Sequence, residues 1–202
     1  MKERNKEIIF TETKLKGAFI LDLEQREDSR GFFARTFCQR EFIKHALNPI
    51  IAQENIAFNI KKGTLRGMHF QYPPYAESKL VRCTRGRLYS IIVDLRPESS
   101  TYLENVAVEL TEDNCRSLHV PERFANGYQV LEDFTAISYH MGEFYAPLAE
   151  GGLSYKDPRL GLVWPLPITE ISPKDNAREF LSEIEPELRR RMTIVKLKEV
   201  KS

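Results

Sequence analysis

The chain has 202 residues, 42% of them hydrophobic and 29% charged, which fits a single globular domain with a sizeable core. Its 30 basic and 29 acidic residues nearly cancel, so the net charge predicts neither a nucleic-acid-binding nor a membrane-binding surface. Three widely spaced cysteines, Cys38, Cys83 and Cys115, argue against a disulfide framework or a zinc ribbon. The sequence has no signal-peptide run or membrane-span candidate, so we expect a cytoplasmic location.

The N-terminal part of the chain predicts short strands and one helix. Residues 8–13 and 18–23 look like two strands around a Lys-Gly turn, and a polar loop over 28–31 precedes a strand over 32–37. The spacing of Phe42, Ile43 and Ala46 suits a short amphipathic helix over 39–47 that ends before Asn48-Pro49.

Residues 50–141 consist of short segments rich in β-branched and aromatic residues, separated by turn residues. Residues 88–95 alternate, with Tyr89, Ile91, Val93 and Leu95 on one side, and 106–110 and 135–141 alternate similarly. This spacing is typical of an antiparallel sandwich or barrel, so we expect an all-β fold with a few short helices.

The C-terminal part has a different character. Four prolines punctuate a loop-rich stretch, and residues 172–175 predict the start of a short helix. Residues 183–202 are charged and form either a helix or a loosely held extension. Because no linker divides the chain, we treat 1–202 as one domain with a core over about 15–180.

The densest chemistry lies between Gly63 and Asp94, where adjacent strand-like segments carry Arg66, His69 and Lys79. These side chains offer a base, a cation that would stabilise a developing anion and a group that would bind phosphate. The adjacent strands place them where they can share one cavity. A histidine-based metal site on such a strand would need His-x-His with further ligands, but the second position is Gln71, so we expect no metal.

Several motifs follow one another in a characteristic order. They are Asp28-Ser-Arg-Gly-Phe-Phe33, Gly63-Thr-Leu-Arg-Gly-Met-His-Phe-Gln71, Lys79-Leu-Val-Arg-Cys-Thr-Arg-Gly86, Val93-Asp-Leu-Arg96, Pro121-Glu-Arg-Phe-Ala-Asn-Gly127, Tyr139 and Ser172-Pro-Lys-Asp175. Together they resemble the cupin-fold nucleotide-sugar epimerases typified by the dTDP-4-dehydrorhamnose 3,5-epimerases. The resemblance implies a cupin jelly roll, a homodimer and a reaction without an organic cofactor.

The resemblance also implies the catalytic roles. His69 would be the base, Asp175 would orient it, Lys79 would stabilise an enolate, and Tyr139 would return a proton from the opposite face. Each has a plainer alternative: a core histidine, an exposed strand lysine and a buried tyrosine with a satisfied hydroxyl. Asp175 with Ser172 also forms a helix-capping pattern, and both of its roles can hold at different atoms.

For the diphosphate, the resemblance favours Arg66, Arg30 and Arg82, since a guanidinium can grip phosphate oxygens bidentately. A surface position is the alternative for Arg82. Arg66 and His69 are three positions apart, so strict alternation sends them to opposite faces. If both face the cavity, Gly67 lies in a bulge or bend.

The chain departs from the family pattern at three places. Asn126 replaces a second active-site histidine and cannot carry a proton, which leaves open whether C3 and C5 are both inverted. Arg35 replaces a glutamate associated with the nucleobase, and Gln53-Glu-Asn55 replaces Gln-Asp-Asn. An arginine can only donate hydrogen bonds, so cytosine is an alternative to thymine.

We therefore expect an epimerase acting at C3, C5 or both on a nucleotide-diphospho-4-keto-6-deoxyhexose. Its setting would be deoxysugar synthesis of the rhamnose type, for surface polysaccharides such as the lipopolysaccharide O-antigen. The alternatives are a mono-epimerase acting at C3 only on a dTDP- or CDP-sugar, and a cupin that binds a sugar nucleotide without turning it over.

Overall fold

A computed structural model describes residues 7–194 as strands with a few helices. The strands are β1 (Ile8–Glu12), β2 (Phe19–Leu23), β3 (Arg26–Asp28), β4 (Gly31–Phe33), β5 (Gln53–Asn59), β6 (Thr64–Gln71), β7 (Lys79–Arg85), β8 (Arg87–Asp94), β9 (Asn105–Thr111), β10 (Ser117–Val120), β11 (Phe124–Val130), β12 (Thr135–Met141), β13 (Glu150–Gly152) and β14 (Glu170–Ile171). The α-helices are α1 (Gln39–Lys44), α2 (Pro173–Asn176) and α3 (Leu181–Met192).

Two large sheets form the body of the molecule. The first sheet has the order β1-β2-β10-β7-β12-β5, and the second has the order β13-β6-β11-β8-β9. Strand pairing within both is antiparallel, except that β14 joins β6 in parallel, and β3 pairs with β4 as a separate hairpin. The prediction of an all-β antiparallel jelly roll is confirmed.

The principal core lies between the two sheets. Val81 and Ile137 of the first sheet pack in one cluster with Leu88, Ile92 and Val130 of the second. The predicted face of β8 instead points outward into a second cluster, where Ile91, Val93 and Leu95 are covered by α3. Strand β8 is therefore apolar on both sides, because a helix covers the face that would otherwise meet solvent.

The charged C-terminal stretch was predicted as either a helix or a loosely held extension, and its first part is helical, in α3. Leu181, Leu188 and Met192 are buried in the second cluster, while the charged residues lie on the other side of the helix. Residues 195–202 of the predicted extension lie outside the described residues. Within 7–194, no helix combines the length and apolar character needed to cross a membrane.

The region between β2 and β5 differs from the sequence prediction. The strand expected over 32–37 stops at Phe33, because β4 pairs only with the short β3. Phe37 instead turns under α1 and packs on Phe42, with ring centroids 4.8 Å apart. The predicted helix is confirmed but ends at Lys44, since Ala46 adopts a positive φ of 56°.

A bulge at Gly67 brings Arg66 and His69 towards one side of β6. His69 is paired with Asn126 and Arg66 with Tyr128, so two residues of β6 oppose the single Gly127 of β11. Gly67 has a φ of +122°, and a Cβ at this position would lie 2.5 Å from the Gly127 Cα. The predicted bulge is confirmed, and it requires glycine for both conformation and space.

Gly31 offers a matched control for this position, since its φ is +121° and a Cβ there meets nothing within 4 Å. We expect Gly31→Ala to lower the free energy of unfolding by about 1 to 2 kcal/mol through backbone strain alone. Gly67→Ala adds a collision with backbone and should cost about 3 kcal/mol or more. Urea unfolding of the two variants measures the difference, and equal losses would contradict the close approach.

Candidate active site

A deep cavity opens between the two sheets. Its outer part, the outer cleft, has a volume of about 860 Å³, and its inner part, the inner pocket, about 250 Å³. Asn55, Arg66, His69, Lys79 and Met141 line both parts. Because these residues come from both sheets, a molecule bound there is held between facing β-walls.

His69 lies at the junction of the two parts and contacts Asp175. The distance from His69 Nε2 to Asp175 Oδ1 is 2.7 Å, and the His69 side chain is 38% exposed whereas that of Asp175 is 6% exposed. The imidazole can therefore reach a bound molecule, while the carboxylate behind it is held away from water. Such a pair fixes the ring orientation and stabilises an imidazolium if one forms.

Asp175 serves as a helix residue and as the partner of His69 at different atoms. Its backbone N–H donates to Ser172 Oγ at 3.0 Å, which caps α2 at its first turn. Its second carboxylate oxygen, Oδ2, accepts from the Gly67 N–H at 3.3 Å. The capping pattern and the contact with His69 are therefore compatible.

The local environment keeps the Asp175 carboxylate ionised. Burial alone would raise the pKa of Asp175, but the hydrogen bond and charge of His69, the Gly67 N–H and the charge of Arg178 outweigh burial and lower it. An ionised carboxylate at neutral pH accepts a hydrogen bond from the imidazole. This favours the tautomer of His69 with a proton on Nε2 and an unprotonated nitrogen on the other side of the ring.

Lys79 and Tyr139 enter the cavity from the first sheet, opposite His69 on the second. The Lys79 ammonium lies 3.0 Å from the Glu77 carboxylate, and both side chains are less than a tenth exposed. The Tyr139 ring is partly buried against the principal core. The inner pocket thus combines a histidine, an ammonium and a phenol that face one another across the gap between the sheets.

The remaining predicted contact residues fall into two groups. Gln53 and Asn55 line the outer cleft, and Arg66 lines both parts while its Nε donates to Asn59 Oδ1 at 2.9 Å. Asn126 lines the inner pocket and is buried, with its Nδ2 donating to Ser90 Oγ at 3.1 Å. The structure places these four residues around the same cavity as the His69–Asp175 pair.

Three predicted arginines do not line the cavity of their own chain. Arg30 is at the exposed tip of the β3–β4 hairpin and pairs with Asp28 at 2.6 Å. Arg35 pairs with the buried Glu41 at 2.5 Å, and Arg82 points away from the cavity towards Ser117 and Ser138. Within residues 7–194, no group of three or more His, Cys, Asp or Glu side chains is placed to hold a metal ion.

Glu150 is a residue of the outer cleft that the sequence reasoning missed. It accepts from Lys174 and Tyr145 at 2.7 Å each and from Arg178 at 2.5 Å. Lys174 and Arg178 flank Asp175 in the chain, so Glu150 fixes the segment that presents Asp175 to His69. No local pattern predicts this contact, because it joins β13 to α2 across 24 residues.

Glu77 and Tyr128 were also missed, although alternation offered a signal for Tyr128. Tyr128 is two positions after Asn126 and shares a strand face with it, whereas Glu77 lies in the loop before β7 and pairs with Lys79 from there. Tyr128 lines the inner pocket beside Tyr139, with ring centroids 6.4 Å apart.

Comparisons with known proteins agree with this geometry. The family model described as dTDP-4-dehydrorhamnose 3,5-epimerase matches residues 12–183. A relative of that name from Sinorhizobium fredii is 39% identical over 78% of this chain and 81% of its own length. Another from Methanothermobacter thermautotrophicus is 38% identical over 88% of this chain and 96% of its own.

A solved structure from Legionella pneumophila shares the fold. It is a dTDP-6-deoxy-D-glucose-3,5-epimerase in complex with dTDP-4-keto-L-rhamnose, with a TM-score of 0.84 and 31% identity over 90% of this chain and 97% of its own. Fold, cavity and comparisons together define an isomerase of the cupin class. The chain belongs to the family of dTDP-4-dehydrorhamnose 3,5-epimerases.

The Glu150 cluster predicts a pH-dependent stability. Burial would raise the pKa of Glu150, but hydrogen bonds from Lys174, Tyr145 and Arg178 and the charge of Lys174 outweigh it and lower the pKa from 4.5 to about 2. Because the folded-state pKa is the lower one, the stabilisation is complete above pH 4.5 and is lost as the pH falls towards 2.

We expect Glu150→Gln to lower the free energy of unfolding by about 2 kcal/mol at neutral pH and by much less near pH 3. Urea unfolding at both pH values measures this loss. Glu143→Gln is the matched control, since the Glu143 carboxylate accepts only the adjacent Phe144 N–H among the contacts found within residues 7–194. A loss that is the same at both pH values would contradict the ionic role.

Proposed function

We propose that this protein inverts C3 and C5 of a dTDP-linked 4-keto-6-deoxyhexose, with His69 as the base and Tyr139 as the proton donor. One observation carries the proposal: these two side chains line the same inner pocket from opposite sheets. A sugar ring lying between the sheets would present one face to each. Removal of a proton on one face and its return on the other inverts the carbon.

The chemistry begins at the C–H bond next to the C4 ketone. The unprotonated nitrogen of His69 takes the proton, and the bonding electron pair moves into an enolate. The resulting imidazolium is stabilised by the Asp175 carboxylate, 2.7 Å away. The ketone of the substrate accepts the electrons, so the reaction needs neither an organic cofactor nor a metal.

Lys79 is our candidate for stabilising the enolate oxygen. A buried ammonium attracts a full negative charge far more strongly than the neutral ketone, so it lowers the barrier more than it strengthens substrate binding. Glu77 lies 3.0 Å from Lys79 and holds the ammonium in place before the substrate arrives. The second step returns a proton from the Tyr139 hydroxyl to carbon and regenerates the ketone.

The outer cleft is our candidate site for the nucleotide. Its volume of about 860 Å³ suits a nucleoside diphosphate, and Arg66 lies where it joins the inner pocket. Arg66 would hold phosphate oxygens, and Gln53 and Asn55 would contact the sugar or the base. We place the reaction in deoxysugar synthesis for surface polysaccharides, in the cytoplasm.

The proposal is tested by proton NMR in deuterated water with a panel of dTDP- and CDP-linked 4-keto-6-deoxy sugars. We expect product from a dTDP-linked member, with deuterium at C3 and C5. His69→Asn should lower turnover at least about 100-fold, because it removes the general base. His45→Asn, remote from the cavity, is the matched control, and absence of both product and exchange on every member would refute the proposal in favour of a binding protein.

A mono-epimerase is the second candidate, and Asn126 is the observation that favours it. Asn126 lies opposite His69 in the strand pairing and lines the inner pocket, but its amide cannot carry a proton. The same NMR experiment separates the two candidates. Deuterium at both carbons supports the 3,5-epimerase, whereas deuterium at C3 alone supports the mono-epimerase.

We further propose a homodimer in which the β3–β4 hairpin reaches the cleft of the second subunit. The Arg30 side chain is 87% exposed, and Phe33 beside it is 72% exposed. Strand β5 is an edge of the first sheet and exposes Ile56 and Phe58, which favours burial against another copy. Arg30 would then bind the diphosphate in the cleft of the partner.

Mixing of inactive variants tests this arrangement. When His69→Asn and Arg30→Gln subunits are mixed in equal amounts and allowed to exchange, half the clefts of each mixed dimer regain both residues. We expect activity of about a quarter of the wild-type value. Mixing His69→Asn with Asp175→Asn should restore nothing, since both residues belong to one cleft. Failure of the first mixture to recover would place Arg30 outside the partner's cleft.

A further inference from the structure

We propose that Gln71 is a positioning residue for the nucleotide site, where its side-chain amide fastens the segment 144–146 that carries Tyr145 into the outer cleft. The inference rests on the proposed function, in which the outer cleft receives the nucleoside diphosphate. Gln71 is two residues after His69 on β6, and the motif around it predicted only the absence of a metal-binding histidine.

The amide of Gln71 contacts the main chain on both sides of Tyr145. Its Oε1 accepts from the Ala146 N–H at 2.6 Å, and its Nε2 donates to the Phe144 carbonyl at 3.1 Å. Nε2 also donates to the Tyr75 carbonyl at 2.8 Å. Gln71 is only 2% exposed, so water competes little for these bonds. One side chain thus ties two loops to β6.

Segment 144–146 depends on side chains because the main chain of neither sheet holds it. Within residues 7–194, the one bond between backbone groups found for this segment runs inside the loop, from the Ala149 N–H to the Ala146 carbonyl. The Tyr145 N–H donates instead to Gln53 Oε1 of β5 at 2.7 Å. Two glutamines from opposite sheets therefore supply the bonds that a neighbouring strand would otherwise supply.

The Tyr145 ring forms part of the wall of the outer cleft, and its hydroxyl donates to Glu150 at 2.7 Å. Because Tyr145 is 57% exposed, packing alone does not fix the ring. Its position is set by the bonded main chain at its base and by Glu150 at its tip. Lys174 and Arg178 would still hold Glu150 if the ring moved, so a shift of this wall should weaken nucleotide binding more than it disturbs His69 and its partner.

The three contacts of Gln71 require an amide. The Ala146 N–H needs an acceptor and the two carbonyls need donors, which fixes the end of the amide that is nitrogen. A glutamate has the same shape but only accepts when ionised, so it would turn a carboxylate oxygen towards two carbonyl oxygens. Methionine has a similar length but makes none of the three bonds.

A double-mutant cycle between Gln71→Glu and Tyr145→Ala tests the inference, with dTDP as the ligand and isothermal titration calorimetry as the measurement. We expect Gln71→Glu alone to raise the Kd of dTDP about tenfold, and the KM of the dTDP-linked substrate similarly, while kcat changes less than about threefold. In the Tyr145→Ala background the same change should raise the Kd less than about twofold, because the ring that Gln71 positions is gone. Additive effects of the two changes would overturn the inference.

Gln129→Glu is the matched control. Gln129 is a fully buried glutamine on the neighbouring strand β11, and its amide also fastens a loop, donating to the Leu166 carbonyl at 2.9 Å and accepting from the Leu166 N–H at 3.0 Å. Leu166 lines neither part of the cavity, so Gln129→Glu should lower stability and keep the wild-type Kd. A rise in Kd equal to that of Gln71→Glu would count against a specific role for Gln71.

Loss of stability cannot imitate the expected result. A variant that is at least about half folded changes the apparent Kd by at most about twofold through unfolding. If Gln71→Glu does not fold, Gln71→Met takes its place in the cycle and should give the same outcome without a buried charge. Failure of the wild type to bind dTDP would overturn the nucleotide site and this inference, whereas dTDP binding with the expected cycle but no turnover would overturn only the proposed reaction.

Discussion

The contact between His69 and Asp175 is the constraint on which the site depends. It joins a strand of the second sheet to a four-residue helix 106 positions later in the chain. That helix is too short to hold its place by its own hydrogen bonds, so the surrounding structure must fix it. The Ser172 cap, the Gly67 N–H and the Glu150 cluster supply the fixing contacts, and each bonds Asp175 or a neighbour.

The cavity contains several buried charged side chains, and these are already paired. Lys79 faces Glu77, Asp175 faces His69, and Glu150 faces Lys174 and Arg178. Paired charges avoid most of the cost of burial, so the site can be held ready before a substrate arrives. An incoming anion must then share these cations with their internal partners. The site therefore binds the anion less tightly than unpaired cations would, but it holds the reacting groups in a fixed geometry.

The sequence predicted the fold class and most of the inner pocket, because both depend on local patterns. Alternation located β8 and β12, and the spacing of Arg66 and His69 required the bulge at Gly67. Alternation did not reveal that β8 is buried on both sides, since α3 comes from a distant part of the chain. The role of Glu150 was not predicted for the same reason, since its basic partners lie 24 or more residues away in the chain. Whether the side chains of Arg30, Arg35 and Arg82 face the cavity depends on where the β3–β4 hairpin lies and on which side of a strand each residue falls. A match to a sequence motif gives no information on either.

The place of Asp175 after the long strands of both sheets has a consequence for biosynthesis. A ribosome releases the long strands of both sheets well before it releases α2, so a nascent jelly roll would already contain its histidine but lack the carboxylate that orients it. Under the proposed mechanism, a chain truncated after the last long strand would resemble the enzyme in shape and yet be a poor catalyst. Competence for turnover would thus require that translation has passed α2.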